Sequence, residues 1–174
     1  MPLRIITGSA ICDGHDAAIN IFRRILQSQG CEVIHLGHNR GADEFAHAAI
    51  QEDAHAIAIT SYQGGAVGQF THTRSILDEH GFDHVLLFGG GGGTILPHEI
   101  KHLRDSSIAR IYSPDDGREM GLVGMVQDAM GHAYEVDLLA GSRFEFDGPV
   151  TADDHGAVAR LLTMVDRWDE GAVC

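Results

Sequence analysis

Five times in the first 130 residues, a short apolar run ends at a turn and gives way to a segment with helical spacing. No other feature of the chain limits its fold so strongly. The runs cover 3–7, closed by Gly8, 32–36, closed by Gly37, then 56–60, 84–88 and 108–112. Each is nearly all apolar, the pattern of strands covered on both faces. Between them the spacing predicts helices over about 15–29, 42–53, 67–80, 97–103 and 117–130. Gly30 and Gly81 are stop signals, and Pro97 suits a first helical turn. In the second helix Phe45, Ala46, Ala49 and Ile50 share an inward face.

Strands and helices in strict alternation build a parallel sheet with right-handed crossovers and helices on both sides. The expected class is α/β: a flavodoxin-like (Rossmann-type), doubly wound, five-stranded parallel sheet in the order 2-1-3-4-5. The pattern changes after Gly131. Residues 132–139 read as extended and 141–154 as a polar loop. Residues 155–170 read as a final helix with Val158, Leu161, Leu162, Val165 and Trp168 along one side. This divides the chain into a domain over 1–132 and an extension or linker over 133–174. The stop soon after that helix is what a piece of a longer protein would show.

Composition narrows the function classes. Hydrophobic residues make up 44% of the 174 and charged residues 21%, a globular balance. No apolar run approaches the ~20 residues a bilayer span needs, and the start lacks the apolar core of a signal peptide. A cytoplasmic protein without a membrane partner is expected. The net charge of −13 argues against nucleic acid, whose phosphates require clustered cations. Cys12, Cys31 and Cys174 form no CxxC pair, so no disulfide framework is expected. His98 and His102 could share a helical face, but without a third ligand they read as surface rather than zinc-binding.

In doubly wound sheets, ligands bind beyond the carboxyl ends of the strands, near the switch in strand order. Three loops at that end stand out. The first holds Asp13-Gly14-His15-Asp16, the second Ser61-Tyr62-Gln63-Gly64-Gly65, and the third the glycine run 89–93. The predicted order makes their strands neighbours, so the loops converge on one rim. A neutral imidazole can ligate a metal through one nitrogen. A carboxylate two residues away can accept a hydrogen bond from the other, which fixes the tautomer. Asp13 and His15 suit that pairing. Ser61 can bond a buried heterocycle, and glycines let a large flat group lie against the backbone. Taken singly, Asp-x-His is an ordinary loop, Ser61 a helix cap and the glycines a flexible turn.

Together these residues resemble the cobalamin-binding domain of the methylmalonyl-CoA mutase family. Its signature is DxHxxG, about forty residues, SxL or SxT, some 25 residues, then GG. Here Asp13-Gly14-His15-Asp16-Ala17-Ala18 is followed after 42 residues by Ser61-Tyr62-Gln63, and after 28 more by Gly92-Gly93. The resemblance covers residues 3–130 and is closest to one branch, the N-terminal domain of fused isobutyryl-CoA mutases. Two positions depart from the signature: Ala18 stands for its glycine and Gln63 for its Leu or Thr. If that glycine serves a positive-φ turn, Ala18 is strained.

The resemblance implies cobalamin, as adenosylcobalamin, bound base-off/His-on. His15 would be the metal ligand, Asp13 would orient it, and Gly14 and Asp16 would share its loop. The displaced dimethylbenzimidazole tail would enter a slot between sheet and helix, meeting Ser61, Tyr62, Gln63, Gly64 and Gly65. Gly90, Gly91, Gly92 and Gly93 would let it pass, and Tyr112 and Ser113 would border it. Homolysis of the cobalt–carbon bond would start a 1,2-rearrangement of an acyl-CoA skeleton. Implied partners are an acyl-CoA-binding mutase barrel, in the same or another chain, and a GTPase chaperone. The sequence contains no GxxxxGK[ST] P-loop of its own, and the chain alone is expected to bind without turnover. Other readings share the fold: a corrinoid carrier of a cobalamin-dependent methyltransferase, a B12 sensor, an FMN binder, or a domain with no cofactor.

Overall fold

A computed structural model of the chain describes residues 2–138, 145–146 and 148–168. The elements run β1 (Arg4–Ala10), α1 (Ala17–Ser28), β2 (Glu32–Arg40), α2 (Ala42–Gln51), β3 (Ala56–Thr60) and α3 (Ala66–Glu79). They continue with β4 (Leu86–Gly90), α4 (Pro97–Asp105), β5 (Arg110–Tyr112), α5 (Pro114–Tyr134) and α6 (His155–Trp168). The five strands form one sheet in the order β2-β1-β3-β4-β5, with every pairing parallel. This is the expected flavodoxin-like architecture.

The alternation of side chains along each strand sorts the core into two layers. Ile6, Ile57, Ile59, Leu87 and Ile111 face α2, α3 and α4, where Phe45, Phe70, Leu77 and Leu103 cover them. Ile5, Ala56, Ala58, Phe88 and Tyr112 face α1 and α5, which supply Ile19, Phe22, Leu26, Val126 and Met130. Strand β3, Ala-Ile-Ala-Ile-Thr, therefore carries its large side chains toward one layer and its small ones toward the other. Each large side chain fully buried in the first layer contributes about 1.5–3 kcal/mol. The second layer is emptier at the carboxyl end of the sheet, and the cavity described below lies there.

Several boundaries differ from the sequence expectation. Strand β1 continues past Gly8 to Ala10. Gly89 and Gly90, expected in a loop, belong to β4 and pair with Ile59 and Thr60. Helix α5 starts at Pro114 and runs to Tyr134, so residues 132–134 are helical rather than extended. It is broken at Gly121 (φ 65°, ψ 175°), a backbone shape open to glycine and to few other residues. Along α6 the buried residues are Gly156, Ala157, Ala159 and Thr163, while Leu162 and Val165 are exposed. Small residues win that face because α6 lies close on α2: a Cβ at Gly156 would come within 3.1 Å of Ile50 and 3.0 Å of Phe82. The expectations for Leu139, for residues 141–144, for the Trp168 side chain and for residues 169–174 fall outside the described residues. Among the described residues no helix is long and apolar enough to cross a membrane.

Gly89 shows how tightly the first layer is filled. A Cβ there would sit 2.1 Å from Phe70 Cζ. Phe70 is wholly buried and has no room to turn. Gly89→Ala is expected to destabilise the chain by about 1–3 kcal/mol, measured by urea denaturation; an unchanged midpoint would contradict this packing.

Candidate cofactor-binding site

The carboxyl ends of β1, β3 and β4 meet at one rim, as the strand order requires. After β1, the Asp13 amide donates to the Ala10 carbonyl at 3.1 Å and closes a tight turn. That turn sends the Asp13 side chain inward, where it is 1% exposed. Its Oδ1 accepts the His15 amide at 2.8 Å and lies 2.9 Å from His15 Nδ1. Its Oδ2 accepts the Tyr62 amide from the β3 loop at 2.5 Å. One buried carboxylate thus ties two loops together. Burial pushes the Asp13 carboxyl up, but the donors from Tyr62 and His15 outweigh burial and hold it below its ordinary value. With Nδ1 occupied by Asp13, the free nitrogen of His15 is Nε2. The side chain is 65% exposed and available to a ligand.

The glycines bring the third loop close. A Cβ at Gly91 would meet the Ser61 carbonyl at 2.0 Å, and one at Gly92 the Tyr62 ring at 2.4 Å. Thr94 Oγ1 donates to the same Ser61 carbonyl at 2.9 Å. The Tyr62 ring lies on Gly92 and reaches the imidazole, with ring centroids 5.6 Å apart.

Beside this rim, between the sheet and helices α1 and α5, runs a cavity of about 200 Å³. Its floor is Ala58, Thr60 and the Gly89–Gly92 backbone, and its walls include Phe22, Phe88, Tyr112 and Met125. Three of the polar side chains along it are engaged: Thr60 with Ser9 at 3.0 Å, Tyr112 with Asp128 at 2.8 Å, Ser113 with Asp116 at 2.6 Å. Burial, then the Asp128 carboxylate, pushes the Tyr112 phenol far up, so it stays a donor. Hydrogen bonds from Ser113, with the Arg110 charge nearby, hold the Asp116 carboxyl low against its partial burial.

The sequence-predicted residues divide accordingly. Asp13, His15 and Tyr62 form one bonded unit. Tyr62, Gly90, Gly91, Gly92, Tyr112 and Ser113 line the cavity. Gly14, Gln63, Gly64, Gly65 and Gly93 are exposed on the rim and outside the lining. Asp16 caps α1 through its carbonyl, which accepts the Asn20 amide at 2.9 Å. Ser61 is buried, but its hydroxyl contacts only its own loop, 3.4 Å from the Gln63 carbonyl. Ala18 has no positive φ; it stands in the first turn of α1 and lines the cavity. Its departure from the signature therefore adds a methyl to a wall rather than strain to a turn.

The family described as the B12 binding domain covers residues 3–112. The chain belongs to the B12-binding domain family. It is 52% identical over 164 residues to fused isobutyryl-CoA mutase from Cupriavidus metallidurans, covering 94% of this chain and 15% of that protein. It is 30% identical over 98 residues to the small subunit of 2-hydroxyisobutanoyl-CoA mutase from Aquincola tertiaricarbonis, covering 56% of this chain and 70% of that one. A cobalamin-binding protein from Desulfitobacterium hafniense superposes with a TM-score of 0.62 at 15% identity, over 75% of this chain and 58% of that one; this likeness concerns the fold. The B12-binding domain described here spans about 15% of the length of the fused relative.

The residues present fit a cobalt corrinoid. His15 offers one nitrogen with its tautomer set. Among the described residues no three His, Cys, Asp or Glu converge on a metal. A metal held through His15 would bring its remaining ligands with it, as a corrinoid does. The cavity floor is Ala58, Thr60 and the Gly89–Gly92 backbone, small groups on which a flat apolar ring can lie.

Asp13 makes the rim sensitive to acid. Its folded pKa lies below its unfolded value. Its contribution is therefore present above the unfolded value, about 3.9, and is lost as pH falls through the lower folded value. Asp13→Asn is expected to lower stability at pH 7 and to flatten the acid limb of stability against pH. Equal acid limbs for the two proteins would show that Asp13 carries no such coupling.

Proposed function

We propose that this domain binds adenosylcobalamin base-off/His-on for an acyl-CoA mutase of the isobutyryl-CoA or methylmalonyl-CoA type. The observation that carries the reading is His15: it is exposed, fixed at Nδ1 by the buried Asp13, and its ring centroid lies 5.6 Å from that of Tyr62, which lines the apolar cavity. His15 Nε2 would take the lower axial position. Asp13 would keep Nδ1 protonated, raise the basicity of Nε2 and prevent the ring from turning. The cavity between the sheet and α1/α5 would take the dimethylbenzimidazole tail, with Ala58, Phe88 and the β4 glycines against its ring. Ser61 would hold the glycine loop through its carbonyl and meet the base with its hydroxyl. Cobalamin supplies a homolysable cobalt–carbon bond, and hence the radical that a carbon-skeleton rearrangement needs.

Residues 1–132 form the cofactor unit in this reading, with 133–174 an extension whose helix α6 seats on α2. The acyl-CoA would be held by a mutase barrel, fused or separate. A GTPase chaperone is a further partner, and the compartment is the cytoplasm. The relatives, a fused isobutyryl-CoA mutase and a 2-hydroxyisobutanoyl-CoA mutase small subunit, favour a mutase over a methyltransferase carrier or a sensor.

Adenosylcobalamin added to the chain is expected to give a bound visible spectrum distinct from that of the free cofactor, and His15→Ala to change that spectrum. Absence of binding by the unaltered chain overturns the proposal; an identical spectrum for His15→Ala removes His15 as ligand. The tail placement has its own test. Ala58→Phe, which fills the cavity, is expected to weaken cobalamin about tenfold or more and to leave cobinamide, which lacks the nucleotide tail, unaffected. Equal losses for both would rule the cavity out.

A further inference from the structure

The loop that carries Asp13 and His15 is also held from outside the site, by the end of β2. Strands β1 and β2 pair in step through Thr7↔His35. The next partners are Gly8↔Gly37 and Ala10↔Arg40, so β2 gains one residue over β1 at each step. Gly37 (φ 86°) and Asn39 (φ 56°) supply the left-handed backbone of these two bulges. The bulged end is braced: Arg40 Nε donates to the Leu36 carbonyl at 2.7 Å, and Arg40 Nη1 reaches Glu44 at 2.7 Å. Glu44 also accepts the Gly41 amide at 2.8 Å.

What this end of β2 presents to the site is Asn39. Its Oδ1 accepts the Cys12 amide at 2.8 Å. Cys12 is the third residue of the Ala10–Asp13 turn and has φ 61°. A third turn position with positive φ favours glycine or asparagine, and an L side chain there is strained. The next residue is Asp13. The turn therefore adopts a costly shape immediately before the carboxylate that orients His15, and an external acceptor holds its amide.

We propose that Asn39 is a positioning residue for the axial-ligand loop: by holding the Cys12 amide, it keeps the Ala10–Asp13 turn in its positive-φ form and presets Asp13 and His15 for cobalt. The inference rests on the reading of His15 as ligand. Asparagine suits the position on two counts. It tolerates left-handed backbone better than most residues, and its short side chain ends in an acceptor. Aspartate shares both properties.

The test uses the 174-residue chain labelled with nitrogen-15 and unlabelled cobalamin in its cobalt(II) form. In the EPR spectrum a protein nitrogen on cobalt then splits the lines into doublets, and the cofactor's own base into triplets. The unaltered chain is expected to give doublets. At equal corrinoid saturation, Asn39→Ala is expected to lose about half or more of the doublet signal and about tenfold in affinity, as for other partners that orient a metal ligand. Asn39→Asp should retain the signal. Cys12→Gly added to Asn39→Ala should restore it, because glycine holds positive φ unaided. Asn39→Gly keeps the bulge backbone and removes the acceptor; it should behave like Asn39→Ala, and it serves if the alanine variant does not fold. In the cofactor-free chain, hydrogen exchange at the Cys12 amide should quicken in both variants. An undiminished doublet in Asn39→Ala, or no restoration by Cys12→Gly, overturns the inference while leaving His15 as ligand. Absence of doublets in the unaltered chain sinks the His15 reading and this inference with it.

Discussion

A parallel sheet has to be covered on both faces, and the two faces of this one are covered to different depths. Ile57 and Ile59 fill one side of β3 against Phe45 and Phe70, while Ala56 and Ala58 leave the other side shallow. Gly89 and Gly90 extend the shallow side onto β4, where Phe70 presses from the opposite face. The cavity is thus the remainder of an asymmetric core. It is held open by the rigidity of the filled layer beneath it, since close-packed interiors resist collapse. Helix α5 completes it without closing it. The break at Gly121 lets Pro114 and Gly117 line the cavity from one segment and Leu122 and Met125 from the next.

Asp13 is the second constraint, and it acts on the loops rather than the core. A buried carboxylate needs partners, and three donors from two loops supply them: two from His15 and one from Tyr62. Removing any one donor leaves the others bonded to a poorly compensated charge. The loops after β1 and β3 are therefore tied to each other through one carboxylate despite their exposure and glycine content. His15 can be exposed and still well placed, because its orientation is set from the buried side.

Much of this was legible in the residues, for identifiable reasons. Strand β3 is legible to its last residue because Ala56–Thr60 is wholly apolar until its end and lies between polar turns. Asp13 and His15 stood out because their spacing suits one chemistry. The glycines were less legible. Composition cannot distinguish a flexible loop from a strand whose neighbours leave no room for a Cβ, and Gly89 is of the second kind. The start of α5 is hidden in the sequence because Pro114, Asp115 and Asp116 have the composition of a polar loop, whereas the Ser113–Asp116 capping pair makes them a first turn. Leu162 and Val165 misled because hydrophobic spacing shows that a helix has a face, not which face its neighbour accepts. Asn39 carried no signal, since its role depends on two bulges and a turn that meet only in the fold.

The two parts of the site share an element. Tyr62 donates its amide to Asp13, rests its ring on Gly92 beside the cavity, and stands 5.6 Å from the imidazole. A guest in the cavity would press on the Tyr62 ring and, through the peptide, on the carboxylate that aims His15. In the proposed mode, seating the tail and ligating cobalt are then coupled events, each changing the affinity for the other by the same free energy. The coupling needs no moving domain. It follows from one buried acid serving two loops, and from glycines that let an aromatic ring lie where a Cβ would otherwise stand. A corrinoid would be recognised by its two ends together, because the chain offers them a single jointed surface rather than two separate subsites.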